Sequence, residues 1–358
     1  MTFYHIGEDE TANCELRRGG KMIAVPTALV VLALNLAFGA SAASQSAVPN
    51  PAQGTAGSTA LSVPSAGAPA RQSPAAPPRP SAVKRHPVTA AAEVAGLNFG
   101  VWAFLQYVGN SYYSYISSGT MIDNFRDGWE WDRSKYYVNF YHHPYHGYLY
   151  YNAGRANGLD FWASSLCALG GSFMWEMIME YYRPSINDLI TTTCGGITYG
   201  EIGYRFSSLV RKRSAHGLER VWREAVGTLL NPVGSVNRLV DSRKAFDPTL
   251  PGSEDVGRIL NGELMLTGPV IIGSDELAGT RAAPLLGFAL TYGDRAGAGW
   301  TGRPFDVFDI EGRLRWGPDH PHLSLFIYGA LAGRPSTTSL SGPAHFFGLY
   351  QQYEDYGF

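Results

Sequence analysis

The amino-acid sequence predicts an α+β protein: a helical domain followed by an antiparallel β meander that forms part of an outer-membrane β-barrel. Two patterns carry this expectation. Between residues 88 and 250 apolar residues recur at helical spacing between recognisable caps, and beyond Gly257 the period changes to two. Composition sets the compartment: charged residues make up only 16%, aromatics 13%, and there are 42 glycines, a mixture that suits an envelope protein with aromatic strands.

Residues 1–42 read as a secretory signal peptide. A basic stretch at Arg17, Arg18 and Lys21 precedes an apolar run from Met22 to Phe38, and Ala40-Ser41-Ala42 supplies the small-residue cleavage site. The run is short for a membrane anchor. Residues 43–87, dominated by Ala, Pro, Ser and Gly, hold too little apolar bulk to offset the entropy of ordering and read as a disordered tether. Loss of the signal, with its three basic and four acidic residues, moves the net charge from −2 to −1. Nothing in that balance favours a nucleic-acid partner. Cys14 leaves with the signal, and Cys167 and Cys194 alone do not make a disulfide framework. The expected location is the cell envelope of a Gram-negative bacterium, at the outer membrane, with the periplasm as the alternative.

The helical domain, residues 88–250, begins with an apolar and aromatic stretch from Val88 to Tyr115. Pro144 suits the first turn of a second helix that Asn157-Gly158 ends. Asp160 can cap a third, running to Tyr182, and Ser185-Ile186-Asn187-Asp188 matches a capping box that opens a fourth. Further helices are expected over 200–213 and 216–230, with Asn231-Pro232 as a breaker. In the β domain, residues 257–358, the run Val307 to Trp316 alternates polar and apolar side chains. Less clean strands cover 262–272, 285–292, 323–331 and 344–356, separated by Gly, Pro and Asp turns. Lipid-facing and lumen-facing residues alternate in this way in a barrel wall, as they do in a half-buried soluble sheet. Five strands are fewer than a bacterial barrel needs, so the wall is expected to be truncated or completed elsewhere.

The central section carries Trp131-Asp132, Asn139, His143-Pro144-Tyr145, Gly147, Tyr151, Ala153, Arg155, Gly158, Phe161-Trp162, Trp175-Glu176, Glu180, the run Pro184 to Ile190, Gly195-Gly196 and Gly200-Glu201. Through these residues, over about 120–205, it resembles the bacterial family called domain of unknown function 3943. The resemblance implies an exported protein whose helical segment is followed by strands, and it implies no particular reaction. In layout, with His and aromatics on one helix, Glu on the next and an Arg/Ser/Asp turn, the section is also loosely similar to VanZ-like helical proteins.

Candidate site residues follow from side-chain chemistry. Pro144 biases His143 toward extended geometry, so His143 and His146 are not expected on one helical face. His146 falls in the first helical turn, where the positive helix end favours a neutral ring. Ser165, Ser172, Glu176 and Glu180 recur on one side of an apolar helix and need partners if buried. We therefore take His146, Glu176, Glu180 and Asp188 as the candidate catalytic set, and His143, Tyr150, Arg155, Arg183 and Glu201 as candidate binding residues. Plainer readings stand beside these: Asp188 as a cap, Glu180 with Arg183 as an exposed helix-end pair, and the tyrosines as packing surface. Without a Gly-x-Ser-x-Gly elbow, a His-Glu-x-x-His motif or a phosphate loop, no cofactor and no metal site is predicted. The function expected is a structural or interaction role at the outer membrane, with a membrane lipid or an outer-membrane protein as partner. The alternative is an envelope hydrolase acting on lipid or a related substrate through a buried His/Glu acid-base site.

Overall fold

Prolines and short polar side chains fix most of the helix starts. The computed structural model describes residues 84–133, 138–241, 247, 250–272, 281–293, 301–316, 321–336 and 345–356. The expected signal peptide, and the tether up to residue 83, lie outside these. Nine α-helices lie among the described residues: α1 Pro87–Phe104, α2 Ser118–Asp127, α3 His143–Ala156, α4 Phe161–Met174, α5 Ile186–Ile190, α6 Gly196–Val210, α7 Gly217–Leu230, α8 Pro232–Val240 and α9 Val256–Ile259. They precede β1 Leu260–Ile272, β2 Arg281–Tyr292, β3 Phe308–Trp316, β4 Pro321–Ser336 and β5 His345–Tyr356. The α+β class is as expected.

Asp160 caps α4 by accepting from the Ala163 N–H, and Ser185 caps α5 by accepting from the Asp188 N–H. Asn231-Pro232 breaks the helical run as expected: α7 ends at Leu230 with Asn231 as its C-cap. The Asn231 side chain accepts from the Gly234 N–H and Pro232 sits in the first turn, so the pair starts α8. The first expected helix is shorter than predicted: α1 continues as a π-helical segment, Leu105–Gly109, and stops at Asn110 in the left-handed conformation.

Three more π segments shape the region of the candidate site: Val138–His142 before α3, Trp175–Met179 after α4, and Thr191–Gly195 between α5 and α6. The first corrects the expectation of an extended arm before Pro144, because His142 has helical torsions and His143 opens α3. An α-helix would pair the Phe140 carbonyl with the N–H that Pro144 lacks. That carbonyl instead accepts from the Tyr353 hydroxyl of β5 at 3.0 Å. The second π segment ends the third helix before Tyr182, and Glu180 is already extended. Two carbonyls there, of Glu176 and Glu180, accept from the Asn124 amide of α2 at 3.4 and 3.1 Å.

Helix α3 is the centre of the helical layer, with Tyr148, Tyr150, Tyr151, Asn152, Ala153 and Gly154 buried. Its approach to the Thr191–Gly195 turn and α6 is backbone to backbone. A Cβ on Gly147 would lie 1.8 Å from the Thr192 carbonyl oxygen, and one on Gly196 would lie 2.4 Å from the Gly147 carbonyl carbon.

The strands form one antiparallel sheet in the order β1-β2-β3-β4-β5, with register shifts between Thr267 and Val270 and between Ala330 and Ala332. Among the described residues β1 and β5 pair on one side only, so the sheet is not closed. The alternation expected in β3 is present: Phe308, Ile310 and Gly312 are buried, while Arg313 is exposed. Its apolar face turns toward the helices at Phe308, whose ring lies 5.7 Å from that of Phe206 on α6. Tyr199 of α6 meets Tyr353 of β5 at 5.1 Å, and Gln351 of β5 donates to the Thr198 hydroxyl at 2.6 Å.

Candidate functional site

Three side chains from three segments converge where the second and third π turns face the start of α3. Ligand-type atoms of His143, Glu176 and Asp188 all lie within 4.8 Å of one another. The π turn after α4 carries Glu176 inward, to 1% exposure. One of its oxygens, Oε2, accepts from the Ser185 backbone N–H at 2.8 Å, while Oε1 is buried with no hydrogen-bond partner. That Ser185 contact replaces the reciprocal half of the expected capping box.

Asp188 is both a residue of the first turn of α5 and a wall of the site. Its Oδ1 accepts from the Asn187 amide at 3.0 Å, and its Oδ2 faces His143 Nε2 at 3.5 Å. Asn187 also donates to Asp132 Oδ1 at 2.6 Å, and its own Oδ1 accepts from the Ser185 hydroxyl and the Asp132 N–H. The other ring nitrogen of His143, Nδ1, is 3.1 Å from the Thr192 hydroxyl. With the proton on Nδ1, this contact turns the Nε2 lone pair toward Asp188.

Electrostatics make this an acid-rich pocket, and among the described residues no Lys or Arg pairs with Glu176, Glu180 or Asp188. Burial raises the Glu176 carboxyl to about 9, with Glu180 next in effect, and burial raises Glu180 to about 8, with Asp188 next. Burial and the Asp132 carboxylate hold Asp188 up at about 7. Burial lowers His143 to about 4, against the opposing pull of Asp132. The imidazole is therefore neutral near pH 7, and its contact with Asp188 is not an ion pair there.

The remaining candidates separate from this group. His146 has its Nε2 buried and unpartnered, stacks on Tyr150 at 4.9 Å and meets the edge of Trp175 at 4.9 Å. Burial holds it down at about 3. The histidine beside the carboxylates is thus His143, because the π turn before α3 brings it into helical geometry. Glu180 accepts from the Trp175 indole at 3.2 Å. It does not pair with Arg183, which is half-exposed and binds Glu130 at 3.4 Å and the Asp127 carbonyl. Tyr150 is buried and donates to Asn98 on α1.

Arg155 and Glu201 belong to a second buried network. Glu201, at 0% exposure, accepts from the Tyr151 hydroxyl at 2.7 Å and from Arg205 Nε at 2.8 Å. Arg155 Nε lies 3.1 Å from Glu201 Oε2, an ion-pair distance without hydrogen-bond geometry at that nitrogen. Arg205 spans to the sheet side through Asp306 Oδ1 at 3.2 Å and the Pro304 carbonyl at 2.9 Å. Arg155 is therefore paired with Glu201, and it also lines a cleft with Tyr204, Arg211 and Arg238. Sequence reasoning missed Thr192 and Asn187 as site walls; the acceptor-donor run Ser185-Ile186-Asn187-Asp188 was the available signal for Asn187.

An α+β fold with a helical layer, an antiparallel meander and a buried carboxylate–imidazole group defines the class. The family described as Domain of unknown function (DUF3943) matches residues 128–233, the stretch that supplies Asp132, His143, Glu176, Asp188 and Glu201. No curated protein and no solved structure matches the chain.

Proposed function

We propose that this is an exported envelope protein with a structural or interaction role at the outer membrane, where its helical domain docks on membrane lipid. One observation carries the lipid contact. Trp162, Leu166, Leu169 and Phe173 recur along one face of α4 and are 59, 68, 42 and 43% exposed. Phe99, Phe104, Tyr107 and Val108 extend the exposed apolar surface on α1 and its π extension. Asn98 of α1 donates to the Gly171 carbonyl of α4 at 3.2 Å, so the two elements adjoin. Such a surface exceeds scattered exposed apolar residues and suits a lipid interface. Pro87–Gly109 is also long and apolar enough, by length and composition, to cross a membrane. For a barrel wall the support is narrower: an antiparallel meander whose two edge strands, among the described residues, pair on one side only, against an apolar β3 face that lies on helices.

The test is flotation with vesicles of phosphatidylethanolamine and phosphatidylglycerol. Wild-type protein is expected to float, and Trp162→Asp with Leu166→Asp is expected to remain in the dense fraction with an unchanged circular dichroism spectrum. Wild-type protein that stays in the dense fraction overturns the lipid contact; if it instead copurifies with an outer-membrane protein through α4, that partner replaces lipid. The hydrolase reading is favoured by the neutral His143 beside two carboxyl groups of raised pKa. There, His143 would take a proton from water as it attacks an ester carbonyl, and a protonated carboxyl would donate to the leaving alcohol. Release of fatty acid from phospholipid by wild-type but not by Glu176→Gln protein checks that reading.

A further inference from the structure

We propose that His143, Glu176 and Asp188 bind one divalent transition-metal ion of the zinc or manganese type. The inference does not rest on lipid docking or on hydrolysis. It starts from an imbalance in the pocket. Carboxyl groups of Glu176, Glu180 and Asp188 gather in a buried volume, and the charged groups acting on them are one another and Asp132. Among the described residues no Lys or Arg forms an ion pair with these three; the only basic side chain so placed is the His143 ring. Buried charges are normally paired with a counter-charge or a metal.

Three atoms point to a metal as the missing partner. Glu176 Oε1 is buried without a partner, in a side chain only 1% exposed. His143 Nε2 and Asp188 Oδ2 face each other at 3.5 Å, longer than a strong hydrogen bond between such groups. Bonds of about 2.1 Å in a tetrahedral site place neighbouring ligand atoms about 3.4 Å apart, so that separation fits two ligands of one ion. The orienting contacts are of the second-shell kind. Thr192 fixes the ring of His143 through Nδ1, Asn187 holds Asp188, and the Ser185 N–H holds the other oxygen of Glu176. One imidazole with two carboxylates suits zinc, manganese or ferrous iron, and the nitrogen donor selects against calcium.

Titration of chelator-treated full-chain protein with Zn²⁺ or Mn²⁺ tests the site by calorimetry, with Co²⁺ absorption as a second readout and Ca²⁺ as the hard-ion control. One equivalent of Zn²⁺ or Mn²⁺ is expected to bind. Glu176→Gln and Asp188→Asn each are expected to weaken binding about 100-fold or more, and Thr192→Val about 10-fold. Co²⁺ is expected to give visible bands in wild-type protein and none with His143→Ala. If His143→Ala does not fold, the two near-isosteric carboxamide variants decide. Absence of stoichiometric binding to folded wild-type protein overturns the proposal, as does binding unchanged in both carboxamide variants.

Discussion

Replacing Glu201 with Ala tests the energetics of the buried ion network. The substitution leaves the Arg205 guanidinium, 2% exposed, with Asp306 as its one charged partner, and leaves Arg155, 10% exposed at its side chain, with no carboxylate. Breaking a buried ion pair from one side costs about 3–5 kcal/mol, because the abandoned charge stays buried. The Tyr151 hydroxyl also loses its acceptor, at a cost of about 1 kcal/mol or more. These terms share partners and do not add fully, so the expected loss is about 4–5 kcal/mol. In a domain of this size that lowers the thermal midpoint by roughly 10–20 °C. Thermal and urea unfolding followed by tryptophan fluorescence measures it. Glu201→Leu is informative beside it, since better packing does not rescue two stranded arginines. A Glu201→Ala protein within about 1 kcal/mol of wild type would refute the reasoning, because the network would then be solvated rather than buried.

Two adjacent glycines on α4 give opposite expectations. A Cβ at Gly171 meets the Tyr150 ring at 2.5 Å, so Gly171→Ala is expected to lower stability by about 1–3 kcal/mol, whereas Gly170 has nothing within 4 Å and Gly170→Ala is expected to raise it by up to about 1 kcal/mol. Equal effects in the same urea series would contradict the packing of α3 on α4. For metal-free protein above pH 6.5, pH acts through Glu176, Glu180 and Asp188, whose folded pKa values of about 9, 8 and 7 stand above their ordinary 4.5 and 3.8. The folded state there holds more protons than the unfolded one, so stability falls as pH rises from 6.5 to 9; below pH 6.5 the buried His143 and His146, held down at about 4 and 3, act in the opposite sense. Denaturation midpoints at pH 7, 8 and 9 check the carboxyl sign, and Glu176→Gln is expected to flatten the slope. Ser185→Ala removes the α5 cap and is expected to cost about 1 kcal/mol; no change in the urea midpoint would mean that the Glu176 contact alone fixes the turn.

Much of the fold was legible because its signals are local. Asp160, Ser185 and Pro144 mark helix starts through hydrogen bonds that close within a few residues, and the alternation of β3 reports a sheet with two unlike faces. The π turns were not legible. A one-residue shift in the ladder, over a five-residue segment, leaves no residue pattern of its own, yet it decides that His143 rather than His146 reaches the carboxylates. Glu176 and Asp188 were named because buried acids and a cap stand out in apolar surroundings. Thr192 did not, since its role depends on a turn brought against α3 by the bare backbones of Gly147 and Gly196. The pairing of Arg155 with Glu201 was not legible for a related reason: the two lie 46 residues apart, and Arg205 ties that same carboxylate to Asp306, 101 residues beyond Arg205.

The contact between the Tyr353 hydroxyl and the Phe140 carbonyl also has a timing. The two residues are 213 positions apart, so a chain made at 5–20 residues per second delivers the second roughly 10–40 s after the first. For that interval the turn that presents His143 lacks the hydrogen bond from the Tyr353 phenol. That contact of the site's entry turn is thereby scheduled by β5, and a nascent chain halted before β5 would carry every residue of the cluster without the phenol that holds the Phe140 carbonyl.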